Sequence, residues 1–413
     1  MAELTAPVLY KSDIQRIVRN GIDSLHCSGK RVLVIIPDGT RTMPLPLFFE
    51  VINQNLAGVA SKLDYLVALG THQPMSDAQL SKLVGQPVTD GQCGVVHIYN
   101  HEWQDPATFV KLGEIPAEEI ATISEGRLQQ SVPVTLNRMI LDYDQIIICG
   151  PVFPHEVVGF SGGNKYFFPG IGGPEIINLT HWLGALMTSY RVIGSGYTPV
   201  RAVIDRAAQF VPIPTACIAS VVTQIAVHGV FFDSPRDAWQ QAANLSAQVH
   251  IIYSEKPYQR VLAVMPEMYD DLWTAAKGMY KLEPVIADGG EVIIYAPHLD
   301  EVSYTHGKII DEVGYHCRDY FTGQWEKFGH YPGGVLAHST HVKGMGSYDP
   351  VTGIETARIQ VTLATGIPEE RCRRINLGYC DPKSINTADW VGRTDEGILI
   401  VPHAGEMLYR LKS

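Results

Sequence analysis

Arg31-Val32-Leu33-Val34-Ile35-Ile36-Pro37-Asp38-Gly39-Thr40-Arg41-Thr42 is the stretch that decides the fold class. Its first half is an apolar run without the alternation of a strand that faces water on one side, so it reads as a strand buried on both faces. Proline, aspartate and glycine then end the strand, and the helical pattern 46–62 follows. The same order of run, turn and helix recurs along the chain. Runs at 65–69, 95–99, 145–149, 261–264, 291–295 and 397–401 read as strands, with 235–247 as another intervening helix. This alternation predicts an α/β protein with largely parallel sheets.

A length of 413 residues favours more than one domain. We place the boundary at 266/267, giving an N-terminal α/β domain 1–266 and a C-terminal α/β domain 267–413. The placement rests on an expected hairpin, 249–253 with 260–264 about the turn 254–257, followed by an interdomain helix over 267–280. Ligands of such folds gather at the carboxyl ends of strands and between domains, so an interdomain active-site cleft is expected.

Composition narrows the function. A formal charge of −11 disfavours a nucleic-acid partner. Seven scattered cysteines without a CxxC pair support neither a disulfide framework nor a structural zinc site. No segment approaches the roughly 18 unbroken apolar residues of a membrane span. Because the first residues lack a signal-peptide core, a cytoplasmic location is expected, with no membrane partner.

Four segments could carry chemistry. Asp38-Gly39-Thr40-Arg41 lies between a strand and a helix, where free N–H groups and a guanidinium suit an anion; an ordinary turn with a solvated arginine is the plain alternative. His72, in Gly70-Thr71-His72-Gln73-Pro74-Met75, also follows a strand, which places an imidazole toward a cleft. The third segment begins beyond strand 145–149, with His155, Gly162, Gly163 and Lys165 in order and His181 sixteen residues after the lysine. Glycines permit close approach of a flat or phosphorylated ligand, and a lysine in an apolar setting can act as a nucleophile. A glycine-rich surface loop with a phosphate-binding lysine is the competing reading. Lys277 is the fourth candidate, as an anion-binding side chain or a solvated one.

Two other patterns carry less. Gly194-Ser195-Gly196 after a possible strand is near a dinucleotide fingerprint, but Pro199 holds the third glycine position. His338 and His341 resemble half a metal site, with no third ligand by spacing.

Taken as an ordered set, Asp38–Arg41, Gly70–Met75, His155, Gly159–Lys165, His181 and Ala276-Lys277-Gly278-Met279 resemble the lactate racemase family. The resemblance implies a nickel-pincer nucleotide (pyridinium-3-thioamide-5-thiocarboxylic acid mononucleotide) bound covalently to Lys165, with nickel held by the cofactor and by His181. Asp38, Thr40, Gly162 and Gly163 would then belong to the cofactor site. Arg41 and Lys277 match residues that anchor anionic groups, and His72 and His155 match the two acid–base groups. It implies inversion of the C2 carbinol of a 2-hydroxy acid: one histidine takes the hydroxyl proton, the α-hydrogen leaves as hydride, and the other histidine returns a proton on the opposite face. Cofactor-biosynthesis proteins would be partners, and a homo-oligomer is possible in such a family.

Two departures bear on substrate. Gln73 stands where relatives carry arginine, and Trp273-Thr274 stands where lactate-specific members resemble Tyr-Gln. With His306, His316, His330, His338, His341 and Lys343 in the C-terminal half, a substrate bulkier than lactate, such as a sugar acid, is expected. The other readings are a nicotinamide-dependent hydroxyacid dehydrogenase and a non-catalytic nucleotide- or anion-binding protein.

Overall fold

The computed structural model describes residues 7–412. Two compact units emerge. Of the described residues, the first takes those up to Phe153, together with Phe160–Ile177 and Arg201–Val249. The second takes Pro154–Gly159, Asn178–Val200 and the residues from His250 on.

The first unit is built on a seven-stranded sheet. Its strand order is Val227–Asp233, Thr215–Val222, Gln145–Pro151, Arg31–Ile36, Lys62–Val67, Val96–Asn100 and Gln92–Cys93. The five inner strands pair in parallel and each edge strand is antiparallel. The α/β class with largely parallel pairing is therefore as the apolar runs predict. Val32 to Ile36 are all buried, which is what a strand flanked on both sides and covered on both faces requires.

Helix Leu45–Leu56 covers one face through Phe48, Phe49, Ile52 and Leu56. Helix Lys11–Ser24 joins the same core through Ile14, Val18 and Ile22, spaced four apart on one stripe. Each such side chain contributes roughly 1.5–3 kcal/mol of transfer free energy.

The strand order also fixes where a ligand belongs. From Arg31–Ile36 the chain adds strands on one side, then returns to add Gln145–Pro151 on the other. Loops leaving these two neighbours diverge, opening a crevice at their carboxyl ends.

The second unit carries a five-stranded, all-parallel sheet. Its order is Gly378–Tyr379, Gln360–Thr365, Ile286–Ala296, Tyr258–Val264 and Ile398–Val401. Here the reversal falls between Tyr258–Val264 and Ile398–Val401, because the last strand returns to the far side of the first.

Three local expectations are corrected. No hairpin joins 249–253 to 260–264: Tyr258–Val264 is taken on both sides by parallel neighbours, and Ile251–Ser254 pairs in parallel with Leu408–Leu411. The helix expected over 267–280 is two single turns, Leu272–Ala275 and Lys277–Tyr280, lying inside the second unit. Asp271 is extended and its carboxylate accepts the Thr274 N–H, so the helix starts there and not at Glu267. The segment before Gly194 is the helical turn Ser189–Val192 rather than a strand, which removes the dinucleotide context. All seven cysteines are free thiols, and Cys149 is buried in its strand. Among the described residues no helix is long and apolar enough to cross a membrane.

Candidate functional site

At the crevice of the first sheet, the turn after Arg31–Ile36 folds back on Asp38. One carboxylate oxygen, Oδ1, accepts the Thr40 N–H at 3.0 Å and the Thr40 hydroxyl at 2.6 Å. The other, Oδ2, lies 2.5 Å from Nδ1 of His72, which arrives from beyond the neighbouring strand Lys62–Val67. Burial pushes the Asp38 carboxyl upward, but the His72 ring, the Arg41 guanidinium and the Thr40 hydroxyl outweigh it and hold it well below the usual carboxylate range.

An ionised Asp38 keeps the hydrogen of His72 on Nδ1 and leaves Nε2 as the lone-pair nitrogen, the tautomer of a general base. Arg41 donates to the Thr40 hydroxyl oxygen at 2.8 Å, and its guanidinium lies 5.8 Å from the centre of the Phe153 ring, just past strand Gln145–Pro151. Asp38, Thr40, Arg41 and His72 are thus one constellation, carried by the loops after the neighbouring strands Arg31–Ile36 and Lys62–Val67.

Supporting residues come from farther along the chain. Asn100 accepts the Met75 N–H and donates to the Met75 carbonyl, while Trp103 donates its indole N–H to the His72 carbonyl at 2.8 Å. Both lie at or beyond the next parallel strand, Val96–Asn100. No local signal in the sequence marks them, because their role depends on strand order.

Lys165 sits half-buried on the short 3₁₀ turn Gly163–Tyr166, also in the first unit. The glycines before it have left-handed backbone, with φ of +83° at Gly162 and +58° at Gly163. Their missing side chains leave no open space, however. A Cβ on Gly162 would come within 2.5 Å of Val152, and one on Gly163 within 2.8 Å of the Pro235 carbonyl and 2.9 Å of Trp239. The missing Cβ atoms let the turn pack against Val152, Pro235 and Trp239.

Buried Arg201 clamps the same turn, donating to the carbonyls of Phe160 and Gly162 with its guanidinium 4.3 Å from the Trp239 ring centre. Asn164 donates to Asp205, and the buried Tyr166 phenol packs where Gly150 has no side chain. The lysine is presented by a loop fastened on every side.

In the second unit, His155 is buried on the two-residue strand Pro154–His155. Its Nδ1 accepts the Val157 N–H at 3.2 Å, which places the ring hydrogen of the neutral form on Nε2. The Glu156 carboxylate lies 3.3 Å from the same nitrogen and can pair with it once the ring is protonated.

His181 is half-buried within helix Pro174–Met187. Lys277 opens the turn Lys277–Tyr280, its ammonium 4.2 Å from the centre of the Tyr269 ring. Thr274 is committed to Asp271, bonding both its carbonyl and its carboxylate. Trp273 stacks on His338 at 3.8 Å between ring centres and lies 4.5 Å from His306. Burial, and then the neighbouring imidazoles of His341, His306 and His181, push His338 well below its ordinary pKa. Burial alone brings His341 down to about 3.

Among the described residues no group of three or more His, Cys, Asp or Glu side chains could hold a metal ion.

The fold and the Asp38–His72 contact define an α/β protein with a carboxylate–imidazole pair at the carboxyl ends of a parallel sheet. Residues 9–193 match the lactate racemase N-terminal domain. It is 28% identical over 156 residues to the lactate racemase of Lactiplantibacillus plantarum, covering 37% of this chain and 33% of that protein. To the lactate racemase of Thermoanaerobacterium thermosaccharolyticum it is 22% identical over 278 residues, 66% of this chain and 61% of the relative. The matches thus span less than two thirds of either relative. A crystal structure of a Thermotoga maritima protein, 33% identical, superposes with a TM-score of 0.91 over 98% of this chain and 99% of that one. The lactate racemase apoprotein of T. thermosaccharolyticum shares the fold at 16% identity, with a TM-score of 0.72 over 99% of this chain and 94% of its own.

Proposed function

We propose that the protein is a racemase or epimerase that inverts the C2 carbinol of a 2-hydroxy acid. The observation that carries this reading is the Asp38–His72 pair, a base held in the tautomer that accepts a proton at Nε2, at the topological reversal of a parallel sheet. Inversion needs an acid–base group for each enantiomer. His72 supplies one, oriented by Asp38. His155 supplies the other, with Glu156 beside its Nδ1 as counter-ion for the protonated ring.

Arg41, steadied by Thr40 and Phe153, would bind an anionic group, and Lys277 a second. Each fixes the acid so that only the carbinol carbon changes hands. Lys165 would hold a nickel-pincer nucleotide covalently, with His181 as the protein ligand of its metal. When bound, that group supplies a reversible acceptor for the α-hydrogen, which is too weakly acidic to leave as a proton beside an ionised carboxylate. The cluster Trp273, His306 and His338 offers flat faces and ring nitrogens in place of a methyl-sized apolar wall, which supports a larger, hydroxylated acid as substrate.

The test uses protein from a host able to make the cofactor. We expect an adduct mass on Lys165, about one nickel per chain, and inversion of a 2-deuterated hydroxy acid in ordinary water with the label retained. Loss of the label to solvent would replace this chemistry with proton abstraction. Comparing kcat/KM for lactate with that for sugar acids tests the substrate size.

A further inference from the structure

The second sheet has its own reversal, where Lys277 is joined by residues that no sequence pattern singles out. The strands that diverge are Tyr258–Val264 and Ile398–Val401, so a ligand crevice belongs at their carboxyl ends. Beyond the first strand, Tyr269 turns back and is almost wholly buried, at 5% exposure. The His298 ring nitrogen Nε2 meets its carbonyl at 3.0 Å, which holds the backbone in place. Beyond the second strand comes a turn with two left-handed residues, His403 at φ 54° and Gly405 at φ 104°. Its intervening residue, Ala404, donates its N–H to the Val264 carbonyl and so ties the turn to the first strand.

Lys277 meets both loops. Its ammonium stands over the Tyr269 ring, 4.2 Å from the centroid. A Cβ on Gly405 would lie 3.0 Å from the edge of that ring and 3.2 Å from the Lys277 Cβ, so glycine is what lets ring, lysine and turn come together.

We propose that Tyr269 is a positioning residue: its ring face holds the Lys277 ammonium at the reversal of the second sheet for an incoming carboxylate, and Gly405 leaves room for the pair. The proposal takes the racemase reading as its starting point, with the hydroxy-acid carboxylate as the ligand. An ammonium over an aromatic face keeps its charge and its three donors while losing the freedom of a four-carbon stem. The phosphate of a nucleotide would suit the same seat chemically, so the experiment separates the two.

Tyr269→Leu, Tyr269→Phe and Gly405→Ala are compared with the parent as purified full chains. The readouts are racemisation kinetics, pyruvate affinity by calorimetry, nickel per chain and melting temperature. We expect Tyr269→Leu to raise KM and weaken pyruvate binding about threefold to tenfold, with kcat and nickel content little changed. Tyr269→Phe, which keeps the ring face, should restore both. Gly405→Ala should move KM in the same direction as Tyr269→Leu. Unchanged KM and pyruvate affinity in a folded Tyr269→Leu would overturn the proposal, as would a Phe variant as poor as Leu. A fall in nickel content at constant pyruvate affinity would reassign the seat to the cofactor and overturn the carboxylate. Failure of the parent to racemise any 2-hydroxy acid defeats the functional reading, while the pyruvate measurement still decides this one.

Discussion

Both oxygens of Asp38 are engaged, one by Thr40 two residues away and one by His72 from the neighbouring strand. A buried carboxylate so placed orients an imidazole and balances its charge when the ring is protonated. Asp38→Asn keeps the shape but no longer fixes the hydrogen on Nδ1, so we expect kcat to fall by about 10³–10⁴-fold with a smaller effect on KM. The sign of the stability effect follows from the lowered pKa. A group whose folded pKa lies below its unfolded value of about 3.9 stabilises fully above that value, and the contribution fades as pH falls through the folded one. Asp38→Asn should therefore lower the melting temperature at pH 7 and flatten the loss of stability below about pH 4, measurable by thermal melts across an acid series.

At the scale of the element, the turn Gly163–Tyr166 shows how a rigid loop presents one flexible side chain. Arg201 supplies two donors in a fixed fork, one for the Phe160 carbonyl and one for the Gly162 carbonyl just before the turn, with its guanidinium over Trp239. Lysine has the charge without the fork. We expect Arg201→Lys to lower stability by about 2–4 kcal/mol, since a buried hydrogen-bonded cation loses part of its partnership. The fraction of chains carrying an adduct at Lys165, read by intact mass, should fall with it. An unchanged adduct fraction in a destabilised variant would make the clamp a matter of folding alone. Gly162 belongs to the same argument, because its left-handed backbone and the nearby Val152 both exclude a side chain.

Across the whole molecule, the chain changes unit after Phe153, Gly159, Ile177, Val200 and Val249. The second unit accordingly owes part of its interior to residues far upstream. Trp182 stacks on Trp325 at 5.1 Å, the Asn178 side chain accepts the Gly334 N–H at 3.0 Å, and Arg410 donates to the Ile193 carbonyl. A fragment of residues 267–413 would lack these partners and also strand Tyr258–Val264, which has a parallel neighbour on each side. We expect that fragment to bind a hydrophobic dye and show no cooperative melt. A sharp transition in it would mean that the 267–413 stretch carries a sufficient core of its own.

The apolar runs at 31–36 and 145–149 were legible because a strand buried on two faces writes its environment into consecutive residues. The spacing of His155, Lys165 and His181 stands out in the sequence because these residues lie on one continuous stretch. The hairpin and the long helix misled because 260–264 is apolar enough for either an edge or a central strand, and because 267–280 has helical spacing without a cap before Asp271. Which strand lies beside which, and hence that Asp38 meets His72 and that Gly405 meets Tyr269 and Lys277, is decided by hydrogen bonding between segments remote in sequence. Residue order determined the class of this protein and most of its chemical groups. Only the folded sheet decided their partners, because orientation and charge balance arise from neighbours that the chain brings together after it turns.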